Sequence, residues 1–275
     1  MKEFIDLKKF YKVRGGKLDL YTIDCPTGDE ENWRRPAVII VPGGAYEHVS
    51  KREGATVACN FLARGFQCFV LEYLTVNDGV RYPEQLHELA AAVDYVKKHA
   101  SAFHINRDEV FVLGFSAGGH LTANLAVDYF NVSETVGDKL DCKPTAIGLG
   151  YPVISTEFGH TRSHENLLEW YTEKEKQKLM KKLNLDKAVT EKTVPAFIWT
   201  TASDKTVSAQ NSIAFACELA KHSVKYELHI YPEGDHGSST CDYEVNSDHL
   251  QAYKKNAQWL DNCASFFRLF TAEKY

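Results

Sequence analysis

The stretch EVFVLGFSAGGHL, residues 109–121, decides the fold of this chain. Its first part is a nearly continuous apolar run, which is typical of a strand covered on both faces. The residues over 116–130 have the pattern of a helix. Gly114 and Gly118 flank Ser116, and because glycines lack side chains they allow a sharp turn and a close approach of helix to strand. The stretch therefore predicts a strand, a tight turn at Ser116 and a helix.

The rest of the chain repeats this alternation. Apolar segments with the length of strands occur at 37–42, 67–73, 145–153, 196–203 and 225–233, and helical patterns occur at 55–64, 83–100, 208–222 and 250–267. Such alternation implies an α/β fold with a mostly parallel central sheet flanked by helices on both faces. One or two short antiparallel strands are expected before residue 25. We predict a single domain over 1–275, with a small helical, cap-like insertion over 155–192.

Composition and charge argue against several classes of protein. Of the 275 residues, 44% are hydrophobic and 25% are charged, and the formal net charge is −5. This balance does not suggest the basic patch of a nucleic-acid-binding protein, and no segment approaches the apolar run of about 18 residues that marks a membrane span. The seven cysteines are dispersed, which favours free thiols in a reducing compartment. Since the N-terminus also lacks an apolar leader, we expect a cytoplasmic protein.

Ser116 is the candidate nucleophile. In a sheet of this type, ligands bind beyond the carboxyl ends of the strands, and Ser116 follows a strand at that edge. The turn is expected to expose its hydroxyl at a helix N-terminus, with the N–H of Ala117 directed at an oxyanion formed beside it. The alternative is a close crossing of strand and helix that requires only small residues there. The position in the sheet favours the nucleophile.

A serine needs a general base, and the base needs an orienting acid. Of the 11 histidines, His236 directly follows the last strand, at the same edge of the sheet as Ser116. Asp204 follows the preceding strand, so the chain order is serine, aspartate, histidine. Glu72 and Glu157 also follow strands and are alternatives for the acid, and Asp204 could instead be a turn or N-cap residue.

A second set of oxyanion donors is predicted in VPGGAYEHVS, residues 41–50, which follows the first long apolar strand. The two glycines at 43 and 44 allow the backbone to turn its N–H groups inward. By position, the N–H groups of Gly44 and Ala45 would act together with that of Ala117. A Gly-Gly pair by itself is only a turn signal, but here it lies where an oxyanion hole is expected.

These segments resemble the α/β-hydrolase esterases that carry a His-Gly-Gly-Gly-type loop. More narrowly, the chain resembles the acetyl esterase and acetylxylan esterase-like branch of sugar and xylan esterases. The segments that carry the resemblance lie between residues 36 and 237: PGGAYEHVSKREG, FLARGFQCFVLEY, GFSAGGHL, YPVIS, ENLL, FIWTTASDKTV and ELHIYPEGDHG. The chain departs from the common loop at Pro42 and Ala45, and backbone donation tolerates both changes. The long basic stretch of the insertion is a further departure.

The triad and the resemblance predict a serine carboxylic ester hydrolase that acts on small acyl esters, in particular acetylated sugars or xylo-oligosaccharides, through an acyl-enzyme. No metal or organic cofactor is required. An amidase, formamidase or peptidase of the same fold would use the same residues and stays an alternative. A non-catalytic ligand receptor of this fold is a third alternative, against which the presence of His236 argues.

Further substrate contacts are predicted from position alone. Tyr46 and Phe115 flank the site and are expected to crowd it, which would favour small acyl groups. His48 would touch the alcohol part of the substrate or lie at the surface, and Trp170 would stack on a sugar ring or anchor the insertion. The expected partner is a small-molecule ester, without nucleic acid or membrane; a homodimer stays open as an assembly state. His160 and His164 have a helical spacing that suits zinc, but the sequence shows no third ligand.

Overall fold

The computed structural model describes residues 3–135, 139–247 and 251–272. Within these residues one sheet contains eight strands, in the spatial order β1-β2-β4-β3-β5-β6-β7-β8. The strands are β1 (Phe4–Asp6), β2 (Lys17–Tyr21), β3 (Arg35–Val41), β4 (Gln67–Glu72), β5 (Ile105–Phe115), β6 (Ile147–Gly150), β7 (Ala196–Thr201) and β8 (Tyr226–Tyr231). The strands from β3 to β8 pair in parallel, whereas β1 and β2 pair antiparallel. The predicted mostly parallel sheet with an antiparallel N-terminal edge is confirmed.

Helices connect the parallel strands, and the last two helices of the described residues follow β8. The helices are α1 (Ala55–Ala63), α2 (Glu84–Lys98), α3 (Ser116–Thr135), α4 (Arg162–Leu167), α5 (Glu173–Lys182), α6 (Gln210–Lys221), α7 (Gln251–Asn256) and α8 (Trp259–Arg268). The helical pattern over 250–267 is divided between α7 and α8, and position 250 lies outside the described residues. The segment over 155–192 lies between β6 and β7 and contains α4 and α5. That it forms a cap-like insertion of a single domain stays a prediction.

The buried parts of the central strands are apolar on both faces because each face of the sheet has its own core. In β3, Ile39 packs into the core that includes α2, α3 and α6, whereas Val38 and Ile40 pack into the core that includes α1 and α8. Alternate side chains of a strand point to opposite faces, so both sets are buried. This two-sided packing holds the carboxyl ends of β5, β7 and β8 at one edge of the sheet.

All seven cysteines are within the described residues, and each carries a free thiol. In the described part of the chain, no helix combines the length and apolar character needed to cross a bilayer.

Candidate active site

Ser116 occupies the turn between β5 and α3, and its backbone φ is 51°. This left-handed conformation is strained for a residue other than glycine, at a cost of about 1–3 kcal/mol, and such strain is concentrated at functional sites. The neighbouring positions must be glycine because a side chain there would collide with nearby atoms. A Cβ atom at Gly114 would lie 2.3 Å from Oγ1 of Thr122, and one at Gly118 would lie 2.1 Å from the carbonyl oxygen of Val41. The crowding of the turn therefore explains the Gly-x-Ser-x-Gly pattern.

The structure brings the three predicted triad residues together. Oγ of Ser116 lies 2.8 Å from Nε2 of His236, although 120 residues separate them. Nδ1 of the same imidazole lies 2.7 Å from Oδ2 of Asp204, which is 32 residues away. The hydroxyl, imidazole and carboxylate thus form one continuous chain of hydrogen bonds, which has the geometry of a serine nucleophile with its base and orienting acid.

The orientation of Asp204 is set by its own loop. Its Oδ1 atom accepts hydrogen bonds from the N–H groups of Thr206, at 2.8 Å, and Val207, at 2.9 Å. Aspartate commonly closes this kind of turn with its side chain. Here the turn leaves Oδ2 for the imidazole. The alternatives for the acid lie elsewhere: Glu72 lines a neighbouring cavity, and Glu157 forms an exposed pair with Lys187.

The loop after β3 places two free N–H groups beside Ser116. The N–H of Gly43 donates to Oε2 of Glu53 at 2.7 Å. The carbonyl of Gly44 accepts the N–H groups of Glu47, at 2.9 Å, and His48, at 3.2 Å. Among the described residues, the N–H groups of Gly44 and Ala45 have no acceptor. Both residues line the cavity at Ser116. The N–H of Ala117 is in the first turn of α3, where helix geometry leaves it without a partner.

An open cavity of about 350 Å³ lies over Ser116. Its described lining is Gly44, Ala45, Glu47, His48, Ser50, Arg52, Glu53, Ser116, His160, Arg162, Thr206, His236 and Gly237. The cavity shares Glu47 and His48 with a neighbouring cavity of about 440 Å³ beside β1 and β2. It shares Arg52 and His236 with a third cavity of about 220 Å³. The cavity over Ser116 therefore adjoins a further cavity on each of two sides.

The insertion contributes to this cavity through His160 and Arg162. Arg162 forms an ion pair of 2.5 Å with Glu47 of the loop after β3. Nε2 of His160 lies 2.9 Å from Oγ of Ser163. Burial, and to a smaller extent the nearby His236, lower the pKa of His160. The imidazole is therefore biased towards its neutral form.

Two of the four predicted substrate contacts lie in the core and not in the cavity. Tyr46 is fully buried, and its hydroxyl lies 2.9 Å from Nδ1 of His120. Phe115 is also fully buried and packs against Tyr151 and Trp259. The expectation that these two side chains crowd the site is wrong, because the backbone directs both of them into the core.

Of the other two predicted contacts, His48 lies in the cavity and Trp170 lies outside it. His48 lines the cavity at Ser116, where the alcohol part of a substrate was expected. Trp170 is 56% exposed and is not part of the cavity lining.

His164 of the insertion lies in a buried structural environment that it shares with His120 of α3. Nε2 of His164 lies 3.3 Å from the carbonyl oxygen of Leu183, and Nε2 of His120 lies 3.1 Å from the same atom. Both rings are fully buried, and burial lowers the pKa of His164 to about 4. Within the described residues, no group of three or more His, Cys, Asp or Glu side chains has the arrangement to hold a metal ion.

Two residues of the site were missed by sequence reasoning. Tyr151 directly follows β6, and its ring meets the ring of His236 edge-on with centroids 4.9 Å apart. Glu53 lies in SKREG after the glycine loop and is 3% exposed. A glutamate among other charged residues usually indicates a solvated turn. The sequence therefore gives no signal for Glu53, and only its burial in the structure shows that it belongs to the site. Tyr151 could have been noticed, since it stands at the carboxyl edge of a parallel strand.

Comparison with known proteins places the chain in a family. Residues 18–219 match the BD-FAE family. The chain is 32% identical over 219 residues to an endo-1,4-beta-xylanase B of Butyrivibrio fibrisolvens, covering 78% of this chain and 34% of that protein. It is 30% identical over 214 residues to an acetylxylan esterase of Xylanibacter ruminicola, covering 75% of this chain and 42% of that protein. The alignments thus span well under half the length of these two curated relatives.

Solved structures match over nearly the whole chain. An acetyl ester-xyloside bifunctional hydrolase from Caldicellulosiruptor lactoaceticus superposes with a TM-score of 0.82 at 30% identity, covering 98% of this chain and 96% of that one. The carboxylesterase Cest-2923 from Lactobacillus plantarum superposes with a TM-score of 0.87 at 25% identity, with 100% of both chains covered. The chain therefore belongs to the BD-FAE family and has the α/β-hydrolase fold.

Proposed function

We propose that the chain hydrolyses esters of small acyl groups, in particular acetyl groups on xylo-oligosaccharides or related sugars, through an acyl-enzyme on Ser116. The observation that carries this proposal is the chain of hydrogen bonds from Ser116 through His236 to Asp204 at the floor of an open cavity. The names of the acetylxylan esterase and the acetyl ester-xyloside hydrolase support an acetylated sugar as the substrate.

In the proposed reaction, Nε2 of His236 takes the proton of Ser116 as its Oγ attacks the ester carbonyl. Asp204 holds the imidazole with its proton on Nδ1 and stabilises the imidazolium that forms. The imidazolium then gives its proton to the leaving alcohol, and an acyl-serine remains. Water activated by the same imidazole attacks the acyl-serine, which releases the acid and restores the hydroxyl.

The oxyanion of each tetrahedral intermediate is assigned to the N–H groups of Gly44, Ala45 and Ala117. Free donors close to a reacting carbonyl stabilise charge that appears only in the transition state, and removal of one such donor typically costs about 10²–10³ in kcat. Gly44 and Ala45 have positive φ values of 119° and 53°. This conformation turns their backbone away from the regular strand direction of β3.

The lining of the cavity favours a short acyl group and a polar alcohol. Among the described residues that line it, Ala45 is the only one with a side chain made of carbon alone. None of these described lining residues has a large aliphatic or aromatic hydrocarbon side chain to hold a long acyl chain, whose burial would contribute about 25 cal/mol for each Å² removed from water. Sugar hydroxyls, in contrast, could exchange hydrogen bonds with Glu47, His48 and Arg162.

The first test compares p-nitrophenyl esters of acetate, butyrate and octanoate. We expect kcat/KM to be highest for acetate and to fall for octanoate. Ser116→Ala should abolish turnover, whereas Ser133→Ala, at a serine farther along α3 whose hydroxyl donates to the carbonyl of Phe130, should not change it. Equal rates for all three chain lengths would contradict the small-acyl proposal, and activity of Ser116→Ala would contradict the acyl-enzyme.

The second test measures acetate release from acetylated xylo-oligosaccharides, with p-nitroacetanilide as an amide probe. We expect acetate release well above that of Ser116→Ala and little cleavage of the amide. Turnover of p-nitrophenyl acetate without acetate release from the oligosaccharide would contradict a sugar substrate. Preferential cleavage of the anilide would instead support the amidase alternative.

A further inference from the structure

The carboxylate of Glu53 is buried next to the proposed triad without touching Ser116 or His236 through a hydrogen bond. Glu53 ends a short 3-10 turn, Lys51–Glu53, and is 3% exposed. It also lines the cavity over Ser116. An ionisable side chain is rarely buried unless its oxygens are satisfied by specific partners. The partners of Glu53 therefore indicate its role.

The first partner belongs to the oxyanion loop. Oε2 of Glu53 accepts the N–H of Gly43 at 2.7 Å, and the carbonyl of Gly43 accepts the N–H of Ser50. The polar groups of Gly43 are thus both occupied, which fixes its peptide and leaves the next two N–H groups free. The packing is close, since a Cβ atom at Gly43 would lie 2.8 Å from Cβ of Ser116 and 3.0 Å from Oε2 of Glu53.

The second partner belongs to the surroundings of the base. The hydroxyl of Tyr151 donates to Oε1 of Glu53 at 2.7 Å and accepts the N–H of Ser239 at 3.1 Å. The ring of Tyr151 meets the imidazole of His236 edge-on. Burial, and then the charge of Glu53, raise the pKa of Tyr151 well above its ordinary value, so the phenol keeps the proton that it donates.

We propose that Glu53 is a positioning residue, whose two oxygens hold the oxyanion loop through Gly43 and the His236 loop through Tyr151 and Ser239. This inference rests on the proposed function, because it assigns a task in that reaction. Two donors of different kinds approach the two oxygens, and a carboxylate accepts at both of them. A glutamine of the same shape accepts at only one oxygen and presents an NH2 group to the other donor.

The kinetic test compares Glu53→Gln with Glu88→Gln. Glu88 is an equally buried glutamate on α2, where Oε2 accepts the N–H of Leu74 at 2.8 Å, outside the cavity over Ser116. Burial raises the pKa of Glu88 to about 8, so its glutamine variant resembles the neutral form present at pH 7. With p-nitrophenyl acetate, we expect Glu53→Gln to lower kcat by about 10- to 100-fold, below the loss of a direct oxyanion donor.

KM should change little in this variant, because both carboxylate oxygens of Glu53 are occupied by protein donors and are not available to the substrate. Glu88→Gln should keep both constants. Tyr151→Phe retains the ring on His236 but loses both hydrogen bonds of the hydroxyl, so we expect it to share the loss in kcat. Because both variants break the same connection, the double variant should lose less than the product of the single losses.

A second readout does not depend on turnover. The proton shared by His236 and Asp204 should give a low-field resonance in the NMR spectrum. We expect Glu53→Gln to shift or broaden this signal and Glu88→Gln to leave it in place. If a folded Glu53→Gln protein keeps both the signal and kcat unchanged, the inference is overturned. The proposed ester hydrolysis is unaffected by that result, as long as the wild type hydrolyses esters. Conversely, inactivity of the wild type on every ester would refute the proposed function, and the resonance would then decide the positioning role alone.

Discussion

Nδ1 of His236 lies 2.7 Å from Oδ2 of Asp204, while Oδ1 of the same carboxylate is held by two backbone N–H groups. The carboxylate therefore has one oxygen for its own loop and one for the imidazole. Because a carboxylate only accepts hydrogen bonds, the imidazole proton must be on Nδ1, and Nε2 is left to accept the hydroxyl proton of Ser116. This division of the two oxygens gives the first prediction.

Asp204→Asn is expected to preserve the fold and to lower kcat for p-nitrophenyl acetate by about 10³–10⁴. The amide oxygen can keep the two backbone hydrogen bonds, but its NH2 group then faces Nδ1 and favours the wrong imidazole tautomer. Steady-state kinetics will measure the loss. Asp261→Asn, on the exposed side of α8, should behave like wild type. A loss of less than tenfold in the Asp204 variant would show that this carboxylate does not control the tautomer.

Gly118→Ala is expected to destabilise the protein by about 3 kcal/mol and to impair turnover, since overpacking at a rigid contact is costly. The new Cβ would lie 2.1 Å from the carbonyl oxygen of Val41, so β3 or the turn at Ser116 must move. Urea unfolding will measure the change. Gly28→Ala is the control: Gly28 has a φ of 76° but nothing within 4 Å of the added Cβ, so we expect only about 1 kcal/mol of backbone strain. Equal losses in the two variants would refute the steric explanation.

Arg162→Ala is expected to raise KM for acetylated xylo-oligosaccharides by about three- to tenfold, equivalent to roughly 1 kcal/mol of binding. KM for p-nitrophenyl acetate should change less, because its small alcohol does not need to reach the insertion. The exposed ion pair with Glu47 contributes at most about 1 kcal/mol to stability. Lys187→Ala removes a different exposed ion pair of the same insertion, outside the cavity, and should leave both values of KM unchanged. Parallel changes for the two substrates would argue against a contact with the sugar.

The buried His164 predicts a loss of stability in acid. Its pKa is lowered to about 4 by burial from an ordinary value of 6.5. As the pH falls below 6.5, the unfolded chain takes up a proton that the folded protein does not bind, so stability declines until about pH 4. The shift corresponds to roughly 3 kcal/mol over this interval.

Thermal unfolding of His164→Gln between pH 7 and pH 4 will test this expectation. The variant should show a shallower fall in Tm than wild type, even if it starts from a lower value. His222→Gln, at an exposed position after α6, should follow the wild-type profile. If His164→Gln falls as steeply as wild type, protonation of this imidazole is not a source of the acid sensitivity.

Much of the fold and the candidate triad could be predicted from local patterns. Two-sided burial gives strands such as β3 a continuous apolar run, here residues 36–41, and their alternation with helices implies parallel pairing. In such a sheet the residue after each strand must lie at the same edge. For this reason Ser116, Asp204 and His236 could be assigned to one site, although only three-dimensional packing brings them within hydrogen-bond distance.

The sequence by itself therefore determined which edge of the sheet carries the site and which three side chains could meet there. The tertiary structure alone decided where the neighbouring side chains point. Tyr46 turns into the core from a backbone φ of 59°, and Glu53 lies buried between two loops that the sequence does not connect. Such directions depend on individual dihedral angles and on contacts between distant segments, and neither leaves a periodic trace in the order of residues.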